Sequence, residues 1–153
     1  MTALLDPFSG EENLAATPER VFAALTDLDL LAQSIPGLVS SERIDDRTLR
    51  AVVRPGFSFL RANLRLYVSL TESTPATAAS LCITAQSIGV SMRVDSRMKI
   101  QGNGDGKATT VRWEARVGEL SGLVAAVGPS LIRAAADKVI RDGWDSLRKK
   151  LEA

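Results

Sequence analysis

The chain has 153 residues, 19 Lys and Arg against 18 Asp and Glu, and no histidine. A length of this order fits one core that buries roughly 70% of the surface exposed by the unfolded chain. The net charge of +1 gives no support to nucleic-acid binding or to broad attraction to anionic lipid, so any membrane or protein contact must be local.

The first strand is expected from Phe8 to Ala16. Thr17 can then cap a helix whose first residue is Pro18, with Val21, Phe22 and Leu25 as its buried stripe. Asp27 offers a second cap, for a short helix from Leu28 to Ser34 that stops before Pro36-Gly37. Leu38 to Ile44 and Thr48 to Arg54 read as strands two and three around an Asp45-Asp46-Arg47 turn.

The middle strands show a period of two, the pattern of a sheet with one dry face. In strand four Leu60, Ala62, Leu64, Leu66, Val68 and Leu70 alternate with Arg61, Asn63, Arg65, Tyr67 and Ser69. Strand five turns Ala79, Leu81, Ile83 and Ala85 inward, and strand six Val90, Met92, Val94, Met98 and Ile100. Strand seven does the same with Val111, Trp113, Ala115 and Val117. Gly102 to Lys107 reads as a hairpin turn: it joins two strands, and no helix follows whose N-terminus would attract phosphate.

A last helix follows from Pro129 to Glu152, about 36 Å long. Leu131, Ala135, Val139, Gly143, Leu147 and Leu151 form one i, i+4 row, small in its first half and bulky in its second. Arg148-Lys149-Lys150 suits the negative end of the helix dipole. The predicted architecture is α+β: a seven-stranded antiparallel sheet curved around a long C-terminal helix, with two short helices after strand one. That is the helix-grip, or START-like, fold, as a single domain over residues 1–153.

Particular spellings sharpen this. They are Phe8-Ser9-Gly10, Pro18-Glu19-Arg20-Val21-Phe22, Leu25, Asp27, Leu31-Ala32 and Ile35-Pro36-Gly37, then Gly122-Leu123-Val124-Ala125, Gly128 and Leu131-Ile132. Together they resemble the carbon monoxide dehydrogenase G-subunit family, within the polyketide cyclase and lipid-transport superfamily. Gly143-Trp144 stands where that family often has a phenylalanine pair. The resemblance implies an accessory protein of a molybdenum-containing hydroxylase, aiding its recruitment to the membrane or handling a lipidic acceptor such as a quinone.

Catalytic chemistry is sparse. Lack of histidine removes the commonest general base near neutral pH and the commonest metal ligand. The one cysteine, Cys82, falls on an outward position, excludes an intrachain disulfide and argues against a zinc or iron–sulfur site. No inward carboxylate stands out as a buried acid, and no catalytic residue, metal or cofactor is assigned. The start MTALLDPF lacks the basic region and apolar run of a signal peptide, and no window approaches the about 20 apolar residues of a membrane span. The expectation is a cytoplasmic protein, peripheral at the inner face of the membrane if the resemblance holds.

The candidate site is apolar. Leu64, Leu66, Leu81, Ile83, Met92, Val94, Met98, Val111 and Trp113 are expected to line a space under Ala135, Val139 and Gly143 of the last helix. Successive turns of a meander fall at alternate ends of the sheet, and the turns of one end all carry glycine and apolar groups. These contribute Ile35, Phe57, Phe59, Ile88, Leu123 and Val124, either as an entrance or docking rim or as plugs folded into the core. The leading function is therefore a noncatalytic binder of a hydrophobic small molecule. A cyclase-like enzyme that acts through cavity shape, and an interaction module with a filled core, are the alternatives.

Overall fold

Seven alternating segments form one antiparallel sheet, in the order β1-β7-β6-β5-β4-β3-β2. The structure is a computed structural model that describes residues 7–54, 56, 62–87, 90–122 and 128–152. Its strands are β1 (Phe8–Leu14), β2 (Leu38–Asp45), β3 (Thr48–Val53), β4 (Leu64–Thr74), β5 (Ala78–Ser87), β6 (Val90–Gly102) and β7 (Thr109–Gly122). Strands β2 to β7 form a meander, and β1 pairs with β7, with Phe8 opposite Ala115 and Leu14 opposite Thr109.

Two short helices, α1 (Pro18–Leu25) and α2 (Leu28–Gln33), lie between β1 and β2. Their starts follow from local chemistry: Thr17 Oγ1 accepts from Arg20 N, and Asp27 Oδ1 accepts from Leu30 N, so each cap satisfies an amide that the first turn leaves free. The long helix α3 runs from Pro129 to Leu151, with Glu152 as its C-cap.

Element boundaries differ from expectation by one residue at the ends of α2, β2 and β3, which stop at Gln33, Asp45 and Val53, and by more at two places. β1 ends at Leu14 rather than Ala16, because the buried Thr109 hydroxyl donates to the Ala16 carbonyl at 2.7 Å and draws the chain out of the sheet. β4 begins at Leu64 rather than Leu60. Ala62 is exposed and outside the strand, and Leu60 and Arg61 lie outside the described residues.

One face of the sheet is dry. Leu49, Ala51 and Val53 of β3, Leu64, Leu66 and Val68 of β4, and Ala79, Leu81 and Ala85 of β5 are all buried on it. The other face carries exposed ion pairs such as Arg50–Glu42 at 2.8 Å and Arg112–Glu11 at 3.2 Å, which add little to stability because water screens them.

The C-terminal end of α3 is held by polar latches. Arg148 Nη2 donates to Glu12 at 2.7 Å in a half-buried pair, Glu152 Oε2 accepts from Ala15 N, and Arg20 Nη2 donates to the Leu151 carbonyl. Arg148 thus acts as a tether to β1 as well as a charge at the helix terminus. The N-terminal end of α3 lies toward the opposite end of the sheet, where Val53 pairs with Leu64, Ser87 with Val90, and Val90 with Gly122.

Glycine is needed where β1 passes beneath an indole. A Cβ on Gly10 would sit 2.7 Å from Cζ2 of Trp113, its cross-strand partner. The bare backbone lets the ring lie flat across β1, and Trp113 then stacks on Trp144 of α3 with ring centroids 6.4 Å apart.

Candidate functional site

The dry face of the sheet and the inner face of α3 do not meet everywhere. Between them is a cavity of about 400 Å³, within the range of sites that hold small organic ligands. Its size follows from the residues above it. Ala135, Ala136, Val139 and Gly143 present short side chains toward a concave sheet, whereas Leu147 and Leu151 fill the latched end and are buried.

Eight of the nine strand residues expected to face this space line it: Leu64, Leu66, Leu81, Ile83, Met92, Val94, Met98 and Trp113. The helix residues Ala135, Val139 and Gly143 line it as well. Val111 does not. It is fully buried, two residues from Thr109, at the end where Ala16 and Pro18 cross the sheet, so its side chain packs in solid core.

Ile35 lines the cavity and is half-buried. The other rim residues, Phe57, Phe59, Ile88, Leu123 and Val124, lie outside the described residues.

Part of the wall comes from elements that strand periodicity does not reach. Leu25, Leu28, Leu31 and Ala32 of the two short helices close one side together with Pro36, and Phe8 and Trp144 contribute aromatic surface. The signal for the helix residues was their own buried stripe.

Polar groups are few. No charged side chain lines the cavity among the described residues, and the only hydroxyls are those of Ser34 and Ser96. Ser34 Oγ donates to the Leu30 carbonyl at 3.0 Å, whereas Trp113 Nε1 is buried without a partner. Among the described residues no carboxylate, lysine or arginine lines the space, so what these residues offer a guest is apolar surface and two serine hydroxyls.

Cys82 lies apart from the cavity, opposite Asp95 on the outer face. Burial raises its thiol above the ordinary value, against the opposing pull of Arg93, which keeps it in the unreactive protonated form near neutral pH. Among the described residues no cluster of three or more potential ligands is placed to hold a metal, and no helix is long and apolar enough to cross a membrane.

The family model of the carbon monoxide dehydrogenase G subunit (CoxG) matches residues 10–152. The chain belongs to this family. Solved structures agree in architecture with this CoxG member. A conserved protein from Geobacillus kaustophilus superposes with a TM-score of 0.87 at 20% identity, over 95% of each chain. A START superfamily protein from Mycobacterium smegmatis does so with a TM-score of 0.70 at 15% identity, over 95% of this chain and 97% of the other. The di-domain ARO/CYC protein BexL gives 0.67 at 12% identity, over 97% of this chain and 47% of BexL. At these identities the likeness shows the fold, a START-like seven-stranded sheet with a long C-terminal helix. No curated protein matches the chain in sequence.

Proposed function

We propose that this CoxG family member is a noncatalytic carrier that holds a lipid or quinone-like molecule between its sheet and α3. The supporting observation is the cavity of about 400 Å³ with no charged lining side chain among the described residues. Apolar surface left facing such a space is unfavourable until a guest covers it, at about 25 cal/mol per Å² removed from water. A filled-core interaction module would have no such space, and a cyclase would need polar groups aimed into it.

In this reading the protein is accessory to a molybdenum hydroxylase of the carbon monoxide dehydrogenase type. It aids recruitment of that enzyme to the membrane or handles its lipidic electron acceptor. The family membership supports the assignment.

Extraction of the purified protein with organic solvent, followed by mass spectrometry, tests the carrier role. A recurrent apolar molecule at near-stoichiometric yield is the expected result. A clean extract, together with failure of an apolar dye to bind, would remove it.

The apolar end of the sheet carries the membrane part of the proposal. With a net charge of +1, association cannot rest on broad electrostatic attraction and must come from local apolar burial. Co-sedimentation with liposomes should therefore change little between low and high salt, and should weaken when Phe57 and Leu123 are both replaced by Ser. A double variant that melts far lower yet sediments as before would show that these side chains plug the core instead.

A further inference from the structure

Ser96 is the one hydroxyl on the cavity wall that no protein group engages among the described residues. It lies midway along β6, on the face shared by Val94 and Met98, where its strand partners are Leu81 and Ala115. All four of these neighbours are apolar. Ser96 is only half-buried although it sits at the centre of the sheet, because its exposed surface faces the cavity. The other lining hydroxyl, Ser34, is satisfied within its own helix turn, and the indole N–H of Trp113 is closed off where the ring crosses Gly10.

A hydroxyl that no protein group engages on an otherwise apolar wall takes its hydrogen bond from water or from a guest, and a guest that brings an oxygen there gains a bond that a hydrocarbon cannot make. Resting on the carrier reading above, we propose that Ser96 is the polar anchor of the cavity, and that it hydrogen-bonds one uncharged oxygen, a hydroxyl or a carbonyl, on an otherwise hydrocarbon guest. The charge follows from the wall. No lysine, arginine or histidine lines the space among the described residues, and an ionised carboxylate buried there would lose its hydration with nothing to replace it. An anionic guest must leave its head outside, where Ser96 cannot reach it. The position follows from the strand: Ser96 is six residues from Val90 at the start of β6, about 20 Å along the strand, so an oxygen bound there lies midway along the sheet and not at its end.

Dodecanol, dodecane and laurate separate these features by competition with an apolar dye. Quenching of Trp113 and Trp144, the only tryptophans of the chain, reports occupancy directly, since both border the cavity. In the Ser96→Ala variant the ratio of dodecanol to dodecane affinity should fall about five- to tenfold, the worth of one hydrogen bond, and laurate binding should not move. Ser96→Thr, which keeps the hydroxyl, should restore the ratio. An unchanged ratio in Ser96→Ala, with the probes still binding, would overturn the anchor and leave the carrier reading intact. A laurate affinity that falls with dodecanol would overturn the restriction to uncharged oxygen. If neither dye nor probe binds the unmodified protein, the carrier reading falls and the anchor with it.

Discussion

Gly143→Leu is expected to abolish binding of an apolar dye to the cavity while leaving the protein folded. Gly143 borders the space from above, and a Cβ built on it meets nothing nearer than the Ser34 carbonyl, at 3.9 Å. The Cβ position is therefore open, and the cavity that Gly143 borders is the space available to the rest of the side chain. A guest displaced from one leucine-sized patch loses about 2–3 kcal/mol of apolar burial, on the order of 100-fold in affinity. Stability should hold or rise, because leucine favours a helix interior over glycine by somewhat under about 1 kcal/mol and its side chain is covered by the cavity walls. Dye titration paired with thermal melting reads both effects. Full binding by a folded variant would take the helix stripe out of the site, and an unfolded variant would show that the space beneath Gly143 does not exist.

Period-two alternation makes the strand walls legible in the sequence, because a strand inside a one-faced sheet has only two sides. It places Leu64, Leu66, Leu81, Ile83, Met92, Val94, Met98 and Trp113 facing one space, which the fold brings together. Parity says which face a residue takes but not what lies above it. Val111 has the right parity and packs in solid core, because α1 and its approach cover that end of the sheet.

The short helices are legible from their caps, Thr17 and Asp27, since capping is local chemistry. Their share of the wall is not. In helices this short the buried stripe does not reveal which part of a curved sheet it faces. Ser96 is hidden for a different reason. Its inward parity is plain, yet one serine between Val94 and Met98 reads as a small strand residue until the space in front of it is known. The family spelling at Phe8-Ser9-Gly10 also gains a physical meaning, for Gly10 is the position that admits the Trp113 ring.

Phe8→Ala should be the more damaging of two aromatic truncations at this site, and the comparison reports on the cavity itself. Phe8 also lines the cavity but is 2% exposed, and the Arg133 guanidinium lies 4.3 Å from its ring centroid, so truncation removes packing on nearly every side of the ring together with a cation–π contact. The expected loss is about 3–5 kcal/mol, or roughly 10 °C in melting temperature for a chain of this size.

Trp113 is larger, but it is only half-buried because one side borders the cavity. That side has no protein atoms to lose, its removal widens a space already present, and the buried indole N–H without a partner is relieved of about 1–3 kcal/mol of desolvation cost. Trp113→Ala should therefore cost about half as much as Phe8→Ala in urea unfolding. If it costs as much or more, the indole is packed on every side, and the space that the carrier role needs is closed in the folded protein.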